Sequence, residues 1–190
     1  MNERTACVNH KSRFVLRFVS RFPVLVMDVD GTLTDGKIHI SPQGELFKSF
    51  DVKDGYAIHS LLRPNGIEPV IITGRTSEIV RKRCEELNIV LVYQGISDKL
   101  RCLSNVLQEL SEWDGERYAY ENCAYIGDDL IDLECMQQIC AAGGVFGCPA
   151  DAVEEIKQVS DYICTKKAGN GAVREFINWI INYDIRKDNL

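Results

Sequence analysis

An apolar run that ends in two closely spaced carboxylates constrains this chain more than any other feature. Residues 24–27 read as a short strand buried on both faces of a sheet, and Asp28-Val29-Asp30-Gly31-Thr32 follows at once. Alternation along the strand places Asp28 and Asp30 on one side, and Gly31 leaves the backbone free to turn. Two carboxylates at the end of a buried strand repel each other and lose hydration. A fold tolerates this arrangement when a cation or a reaction uses both groups.

A second acidic cluster follows another apolar strand. Asp128 and Asp129, with Asp132 beyond them, come after the strand predicted over residues 123–127. Ligands of an open α/β sheet bind outside the carboxyl ends of its strands, where Asp28, Thr73 and Asp128 each stand. These residues are therefore expected to converge, and one metal ion is able to join the two acidic clusters.

The remaining pattern predicts strands that alternate with helices. This alternation indicates an α/β fold, a Rossmann-like doubly wound parallel sheet with right-handed crossovers. Further strands are predicted over 69–73, 89–93, 141–146 and 162–164, and residues 111–122 are predicted as a loop. Helices are predicted over 54–62, from Thr76 or Ser77 to 87, from Ser97 to 110, and over 130–139, 151–158 and 172–183.

A hairpin is predicted directly after the first carboxylates. Residues 37–40 and 46–50 read as extended segments on either side of Ser41-Pro42-Gln43-Gly44, a turn sequence. Its position would allow it to act as a flap over the site. A plain surface hairpin explains the residues equally well.

Length and composition bound the remaining possibilities. The 190 residues predict one domain over 23–183, a basic amino-terminal extension over 1–22 and a tail over 184–190. The net charge of −6 does not suggest a nucleic-acid partner, and no apolar run is long enough for a membrane span. Eight cysteines without a CxxC pair favour reduced core thiols in a cytoplasmic protein. For residues 1–22, an extension or short first helix is favoured over a transit peptide.

Each motif also has a purely structural interpretation. Asp28 does not begin an EF-hand calcium loop, because Leu33 and His39 occupy the places that need glycine and glutamate. Taken singly, DVDGT fits a turn, Thr73-Gly74 a strand end, Lys99 a solvated helix residue and GDD a helix start. All of them in one order at predicted strand ends indicate a site.

The order of four motifs, which are DVDGT (28–32), ITGR (72–75), Lys99 and GDDLID (127–132), resembles the haloacid dehalogenase-like phosphatase superfamily. Within it, residues 24–181 resemble the 3-deoxy-D-manno-octulosonate 8-phosphate phosphatases. Three further stretches carry this closer resemblance: FDVKDG (50–55), VYQGISDKL (92–100) and GAVRE (171–175).

The resemblance implies a chemistry for each motif. Asp28 would attack phosphorus to form an aspartyl-phosphate, and Asp30 would serve as general acid and then as general base. Thr73 would donate a hydrogen bond to a phosphoryl oxygen, and Lys99 would offset the charge on phosphate and nucleophile. Mg²⁺ suits this set of hard oxygen ligands, and the implied ligands are Asp28, the backbone carbonyl of Asp30, and Asp128. Asp129 and Asp132 would support the metal from behind or cap the next helix.

The chain is too short between its motifs to hold a cap domain over the site. The resemblance therefore implies a homotetramer, in which a neighbour's hairpin and carboxyl-terminal segment close the pocket over a sugar-acid phosphate. The residues expected to bind this substrate are Lys53, Asp54, Gly55, Arg75 and Arg174. For Lys166 and Lys167, ordinary surface charge is the favoured interpretation.

Several positions depart from the family pattern and leave the substrate open. Lys53 stands in place of the usual arginine, Ala-Gly-Asn at 168–170 in place of a Gly-Gly-Arg type stretch, and Gly-Cys-Pro at 147–149 is unusual. A nonulosonate 9-phosphate is the alternative substrate. A non-catalytic oligomeric partner of a sugar-nucleotide synthetase is an alternative of another class, which the presence of Asp28 and Asp30 disfavours. A phosphotransferase or mutase of the same fold is a third alternative. Such an enzyme normally needs a cap, for which this chain has no room.

Overall fold

The computed structural model describes residues 20–183, and a parallel six-stranded sheet forms its centre. The predicted tail and all but the last three residues of the predicted amino-terminal extension lie outside this range. The strands are β1 (Val24–Met27), β2 (His39–Ser41), β3 (Gly44–Phe47), β4 (Glu68–Ile72), β5 (Leu91–Tyr93), β6 (Cys123–Ile126), β7 (Val145–Cys148) and β8 (Tyr162–Ile163). The helices are α1 (Val52–Ser60), α2 (Glu78–Glu86), α3 (Lys99–Asp114), α4 (Leu133–Ala142), α5 (Glu154–Val159) and α6 (Ala172–Ile181).

The strand order β5-β4-β1-β6-β7-β8 is that of a doubly wound sheet. The chain starts at the centre with β1, fills one side with β4 and β5, and then returns to place β6 on the other side of β1. Val26 pairs with Val70 of β4 and with Tyr125 of β6. The direction of winding reverses between β1 and β6, and ligands of such sheets bind at this point. The predicted fold class is confirmed.

Both faces of the sheet are covered by helices. Leu25 and Met27 point into a core shared with α1, α2 and α6, whereas Val24 and Val26 point into a core shared with α3, α4 and α5. All four β1 side chains are buried, which explains why this strand reads as a continuous apolar run. The central strand is therefore rigidly held, and so is the carboxylate that follows it.

Side-chain caps begin α1 and α3 close to the site. Asp51 accepts hydrogen bonds from the amides of Lys53 and Asp54 at the start of α1. At the start of α3 the cap is Asp98, not the predicted Ser97, and its carboxylate accepts from the Arg101 amide at 2.9 Å. Lys99 is consequently the first residue of α3, next to the sheet edge where β5 ends.

Two predicted element boundaries were wrong. Residues 111–114 continue α3 instead of beginning a loop, and the helix ends at Gly115, whose φ is 80°. Residues 141–142 belong to α4, which ends at Gly143 with φ of 95°, so the next strand begins only at Val145. In both cases a glycine in the left-handed region marks the helix end, a stronger signal than the apolar residues around it.

Only short segments separate the site-bearing strands. The antiparallel β2–β3 hairpin and α1 lie between β1 and β4, and α2 alone lies between β4 and β5, so neither connection holds a cap domain. No helix within residues 20–183 is both long and apolar enough to cross a membrane.

Candidate active site

Three carboxylates and one lysine form a buried cluster where β1 and β6 end. Asp28 follows β1 directly, and its backbone amide donates to the Ile126 carbonyl of β6 at 3.1 Å. The Lys99 ammonium donates to Asp28 Oδ1 at 2.6 Å and to Asp132 Oδ1 at 2.8 Å. Asp28, Lys99 and Asp132 are all nearly inaccessible to solvent. Residues more than 100 positions apart are thus brought together by the pairing of β1 with β6.

Asp132 supports this cluster from behind. Its Oδ1 accepts from Lys99 and from the buried Tyr125 hydroxyl at 2.6 Å, and its Oδ2 accepts from the Asp128 amide at 3.2 Å and more weakly from the Asp129 amide. Four donors occupy the acceptor positions of one carboxylate, which leaves little capacity for a metal. Asp132 therefore orients Lys99 and the 128–129 turn.

Asp128 is the most exposed carboxylate of the cluster. Thr32 donates its hydroxyl to Asp128 Oδ1 at 3.0 Å, which ties the β1 loop to the β6 loop. Gly31 has φ of 93°, and a Cβ there would lie 2.0 Å from Asp128 Oδ2. At Gly127 a Cβ would lie 2.4 Å from Asp132 Oδ2. The two glycines make room for two carboxylates.

The cluster carries an excess of negative charge. Burial raises the pKa of Asp28 to about 6, with Asp132 adding to the rise and Lys99 opposing it. Burial, followed by the neighbouring Asp28, raises the pKa of Asp128 to about 7. Burial opposes charge on Lys99, but Asp28 and Asp132 raise its pKa above the ordinary value. Burial is thus the main reason why the two carboxyl groups hold protons more tightly, and the excess of carboxylates over ammonium groups adds to it.

This donor set fits a hard divalent cation. Asp28, Asp128 and Asp132 each offer a carboxylate oxygen, and the three oxygens lie within 4.8 Å of one another. Oxygen donors suit Mg²⁺, and a cation would relieve the repulsion that raises the carboxyl pKa values. Because Asp132 is already saturated, Asp28 and Asp128 are the side chains free to hold the ion, together with the proposed Asp30 carbonyl.

Asp30 contacts a lysine of the hairpin region through its carboxylate. Its Oδ1 pairs with the Lys48 ammonium, which also lies 3.1 Å from Glu45 Oε1. Its Oδ2 lies 3.8 Å from Arg75 Nε. Lys48 was missed from the sequence because a lysine next to a predicted surface hairpin looks like an ordinary solvated residue.

The other proposed site residues are dispersed. Thr73 is buried at the end of β4, where its amide donates to the Tyr93 carbonyl at 3.0 Å. Arg75 is half exposed beside Asp30. Lys53 is exposed on α1, and Arg174 lies over the Tyr56 ring and donates to Asn178 Oδ1 at 3.3 Å. Arg75 thus lies close to Asp30, and Thr73 follows the strand that pairs with β1, whereas Lys53 and Arg174 belong to α1 and α6.

Asp54 and Gly55 each have a structural role in the packing of neighbouring helices. Asp54 is 2% exposed, and its carboxylate accepts from the Arg174 amide at 2.7 Å and the Gly171 amide at 3.3 Å. It thereby caps the start of α6 from the neighbouring helix. A Cβ on Gly55 would lie 2.2 Å from an Arg83 guanidinium nitrogen, so this glycine makes space for that side chain.

The segment that leads into α6 packs against the loop that follows β1. The Gly169 amide donates to the Thr32 carbonyl at 3.2 Å. Glu175 holds the segment by accepting from the Thr165 amide at 2.9 Å and the Lys166 amide at 3.1 Å. Lys166 and Lys167 themselves are exposed, in agreement with ordinary surface charge. No sequence signal indicated that Glu175 would anchor this segment.

The chain is similar to known proteins over most of its length. The chain is 39% identical over 175 residues to the 3-deoxy-D-manno-octulosonate 8-phosphate phosphatase of Salmonella typhi. The aligned residues make up 92% of this chain and 87% of the relative. The enzyme of the same name from Escherichia coli K12 is 38% identical over the same shares. No family model matches the chain.

Solved structures show the same fold. The 3-deoxy-D-manno-octulosonate 8-phosphate phosphatase of Yersinia pestis superposes with a TM-score of 0.77 at 37% identity, covering 91% of this chain and 87% of that one. The enzyme from Moraxella catarrhalis was solved with a magnesium ion, a phosphate ion and a KDO molecule. It gives a TM-score of 0.76 at 36% identity and covers 92% of this chain and 97% of that one.

Proposed function

The chain belongs to the family of 3-deoxy-D-manno-octulosonate 8-phosphate phosphatases within the haloacid dehalogenase-like superfamily, and from this membership we propose that it hydrolyses that phosphorylated keto-sugar acid. One observation carries the proposal. The buried cluster of Asp28, Lys99, Asp128 and Asp132 stands at the switch point of the sheet, in a chain that matches its relatives over most of their length.

In the first half of the reaction, an Asp28 carboxylate oxygen forms a bond to phosphorus while the bond from phosphorus to the sugar oxygen breaks. The electron pair stays on that oxygen, which takes the proton of Asp30. Lys99 is fixed beside Asp28 at 2.6 Å and offsets the charge on nucleophile and phosphoryl group. Asp28 thereby becomes an aspartyl-phosphate.

In the second half, water attacks phosphorus and Asp30, now a carboxylate, takes the water proton. The bond between phosphorus and Asp28 breaks, which releases inorganic phosphate and restores the Asp28 carboxylate. Bound Mg²⁺ supplies positive charge that lets two anions approach each other. Asp28 and Asp128 would hold it, and Thr32 keeps Asp128 oriented through its hydroxyl at 3.0 Å.

The oligomeric state implied by the family pattern is a homotetramer, with a neighbour's hairpin and carboxyl-terminal segment covering the capless site. Exposed apolar side chains on and beside the hairpin support this proposal, since water-exposed groups of this size usually mark an interface. These side chains are Ile38, Ile40, Leu46, Phe47 and Val52. Sedimentation equilibrium of the full chain tests it, and a monomer at micromolar concentration would contradict it.

A cytoplasmic location is proposed from the cysteines. Seven cysteines within residues 20–183 are free, and burial raises the pKa of thiols such as Cys84 to about 12. Such inert thiols are typical of a reducing compartment. Fractionation of the source cells tests the location, and recovery outside the cytoplasm would contradict it.

The activity itself is tested by phosphate release with magnesium and with EDTA. The substrates are 3-deoxy-D-manno-octulosonate 8-phosphate, a nonulosonate 9-phosphate, hexose phosphates and an aryl phosphate. We expect magnesium-dependent release with preference for the octulosonate, and none from Asp28→Asn, which keeps the shape of the nucleophile. Preference for the nonulosonate would reassign the substrate, and full activity of Asp28→Asn would refute the mechanism.

A further inference from the structure

Lys48 has a buried side chain at the end of an otherwise exposed hairpin. Its side chain is 1% exposed, whereas Leu46 and Phe47 just before it are 60% and 46% exposed. Lysine is seldom buried without a charged partner, because removing the ammonium from water is costly. The burial of Lys48 therefore requires specific partners, and the site supplies them.

Two carboxylates from different segments enclose the Lys48 ammonium. Asp30 belongs to the catalytic loop after β1, and Glu45 belongs to β3. Burial disfavours charge on Glu45, yet hydrogen bonds from Ser77 and Lys48 lower its pKa below the ordinary value. Without Lys48, the Asp30 and Glu45 carboxylates would lose the cation that contacts both of them, and the more distant Arg75 would remain beside Asp30.

The same contacts continue into α2. Glu45 Oε2 accepts from the Ser77 hydroxyl, and Ser77 is the residue that caps α2 through the Val80 amide. The Ser77 amide in turn donates to Gln94 Oε1 at 2.8 Å. The hairpin is thus fastened both to the catalytic loop and to the start of α2.

These contacts give the two oxygens of Asp30 different roles. Oδ1 is occupied by Lys48, while Oδ2 lies on the side of Arg75, whose side chain is 49% exposed. Oδ2 is therefore the Asp30 oxygen that Lys48 does not occupy, and it lies next to a half-exposed side chain.

We propose that Lys48 is a positioning residue for the reaction: it fixes the Asp30 carboxylate with Oδ2 toward the substrate and fastens the β2–β3 hairpin to the catalytic loop. This inference rests on the proposed role of Asp30. It assigns Lys48 no contact with the substrate, so its removal should affect turnover and not binding.

The kinetic test compares Lys48→Met and Lys48→Arg with Lys37→Met. Lys37 is a matched control, since it is an exposed lysine before the same hairpin and pairs with Asp35. Loss of position typically costs about 100-fold in kcat, and we expect this loss in Lys48→Met with KM changed less than about threefold. Lys48→Arg keeps a cation between the carboxylates and should recover at least about a third of kcat. A rise in KM alone, or an unchanged kcat, would overturn the proposal.

A double-mutant cycle separates positioning from general structural damage. If Lys48 acts through Asp30, Lys48→Met should lower the residual aryl phosphate turnover of Asp30→Asn by less than about threefold. If Lys48→Met lowers the turnover of Asp30→Asn by about 100-fold, as in the wild type, Lys48 acts independently of Asp30 and the proposal fails.

Hydrogen exchange provides a readout that does not depend on activity. Backbone amides of β2 and β3 should exchange at least about tenfold faster in Lys48→Met than in the wild type or Lys37→Met. Glu45→Gln, which leaves the catalytic loop intact, is the second variant and should also accelerate exchange there. Unchanged exchange in both variants would refute the fastening role. If the variants exchange faster but the wild type shows no phosphatase activity, the proposed function fails while the hairpin contact stands.

Discussion

Magnesium should stabilise the folded chain strongly near neutral pH and hardly at all near pH 5. The reason is that protons and the metal ion compete for the same buried carboxylates. Asp28 and Asp128 repel each other where β1 and β6 end, and either a proton or a cation relieves that repulsion. Adding magnesium or EDTA at several pH values therefore tests the site without measuring catalysis.

The sign of the metal-free pH dependence follows from the raised pKa values. Folding raises the pKa of Asp28 from 3.8 to about 6 and that of Asp128 from 3.8 to about 7. The folded chain then binds more protons than the unfolded chain between about pH 4 and pH 7, so its free energy of unfolding falls as pH rises through that window. For Asp28 alone, a rise of about two units corresponds to about 3 kcal/mol.

Magnesium restores part of this loss at neutral pH. At a free concentration about 100-fold above the dissociation constant, a ligand adds about 2.7 kcal/mol to stability. In a chain of this length, 1 kcal/mol moves the unfolding midpoint by about 2–4 °C, which gives a shift of about 5–10 °C. Near pH 5 the carboxyl groups are mostly protonated, and the shift should fall below about 2 °C.

Differential scanning fluorimetry at about pH 5, 6 and 7.5, with magnesium or EDTA, measures these shifts directly. Asp128→Asn is the matched control, because it keeps the side-chain shape and removes one metal ligand and one repelling charge. We expect it to lose the magnesium shift and to unfold at a higher temperature than the wild type in EDTA near neutral pH. An equal shift at every pH, or an undiminished shift in Asp128→Asn, would refute the assignment of the cation site.

Two further substitutions test the supports of the site. Gly31→Ala should destabilise the chain by more than about 1 kcal/mol and weaken magnesium binding, because φ is 93° and the new Cβ would collide with Asp128. Isothermal titration calorimetry measures the magnesium affinity, and an affinity equal to that of the wild type would contradict this expectation. Asp54→Ala should lower the free energy of unfolding by about 1–2 kcal/mol in urea titration, since α6 loses its cap. The exposed Lys53→Ala is its control, and equal stability of both variants would argue against the cap.

Much of the fold was predictable because it rests on local patterns. The apolar run of β1 reads as a buried strand since both of its faces are covered, and the regular alternation of strands and helices implies a parallel sheet. The errors were local as well. Residues 111–114 and 141–142 remain helical up to a glycine, and the helix end depends on that glycine's left-handed backbone more than on hydrophobicity.

The sequence by itself determined which chemical groups follow the strands: Asp28, Thr73 and Asp128 at strand ends and Lys99 at the start of a helix, in motifs whose order resembles that of a metal-dependent phosphatase family. Only the tertiary structure decided the second layer around them. It showed that the Asp132 carboxylate accepts hydrogen bonds from Tyr125 and from the Asp128 amide. It also showed that Asp54 caps the start of α6. It also buried Lys48, a lysine that reads as a surface residue, against Asp30. Motif order is a property of the chain alone, whereas burial and pairing depend on which distant segments pack together.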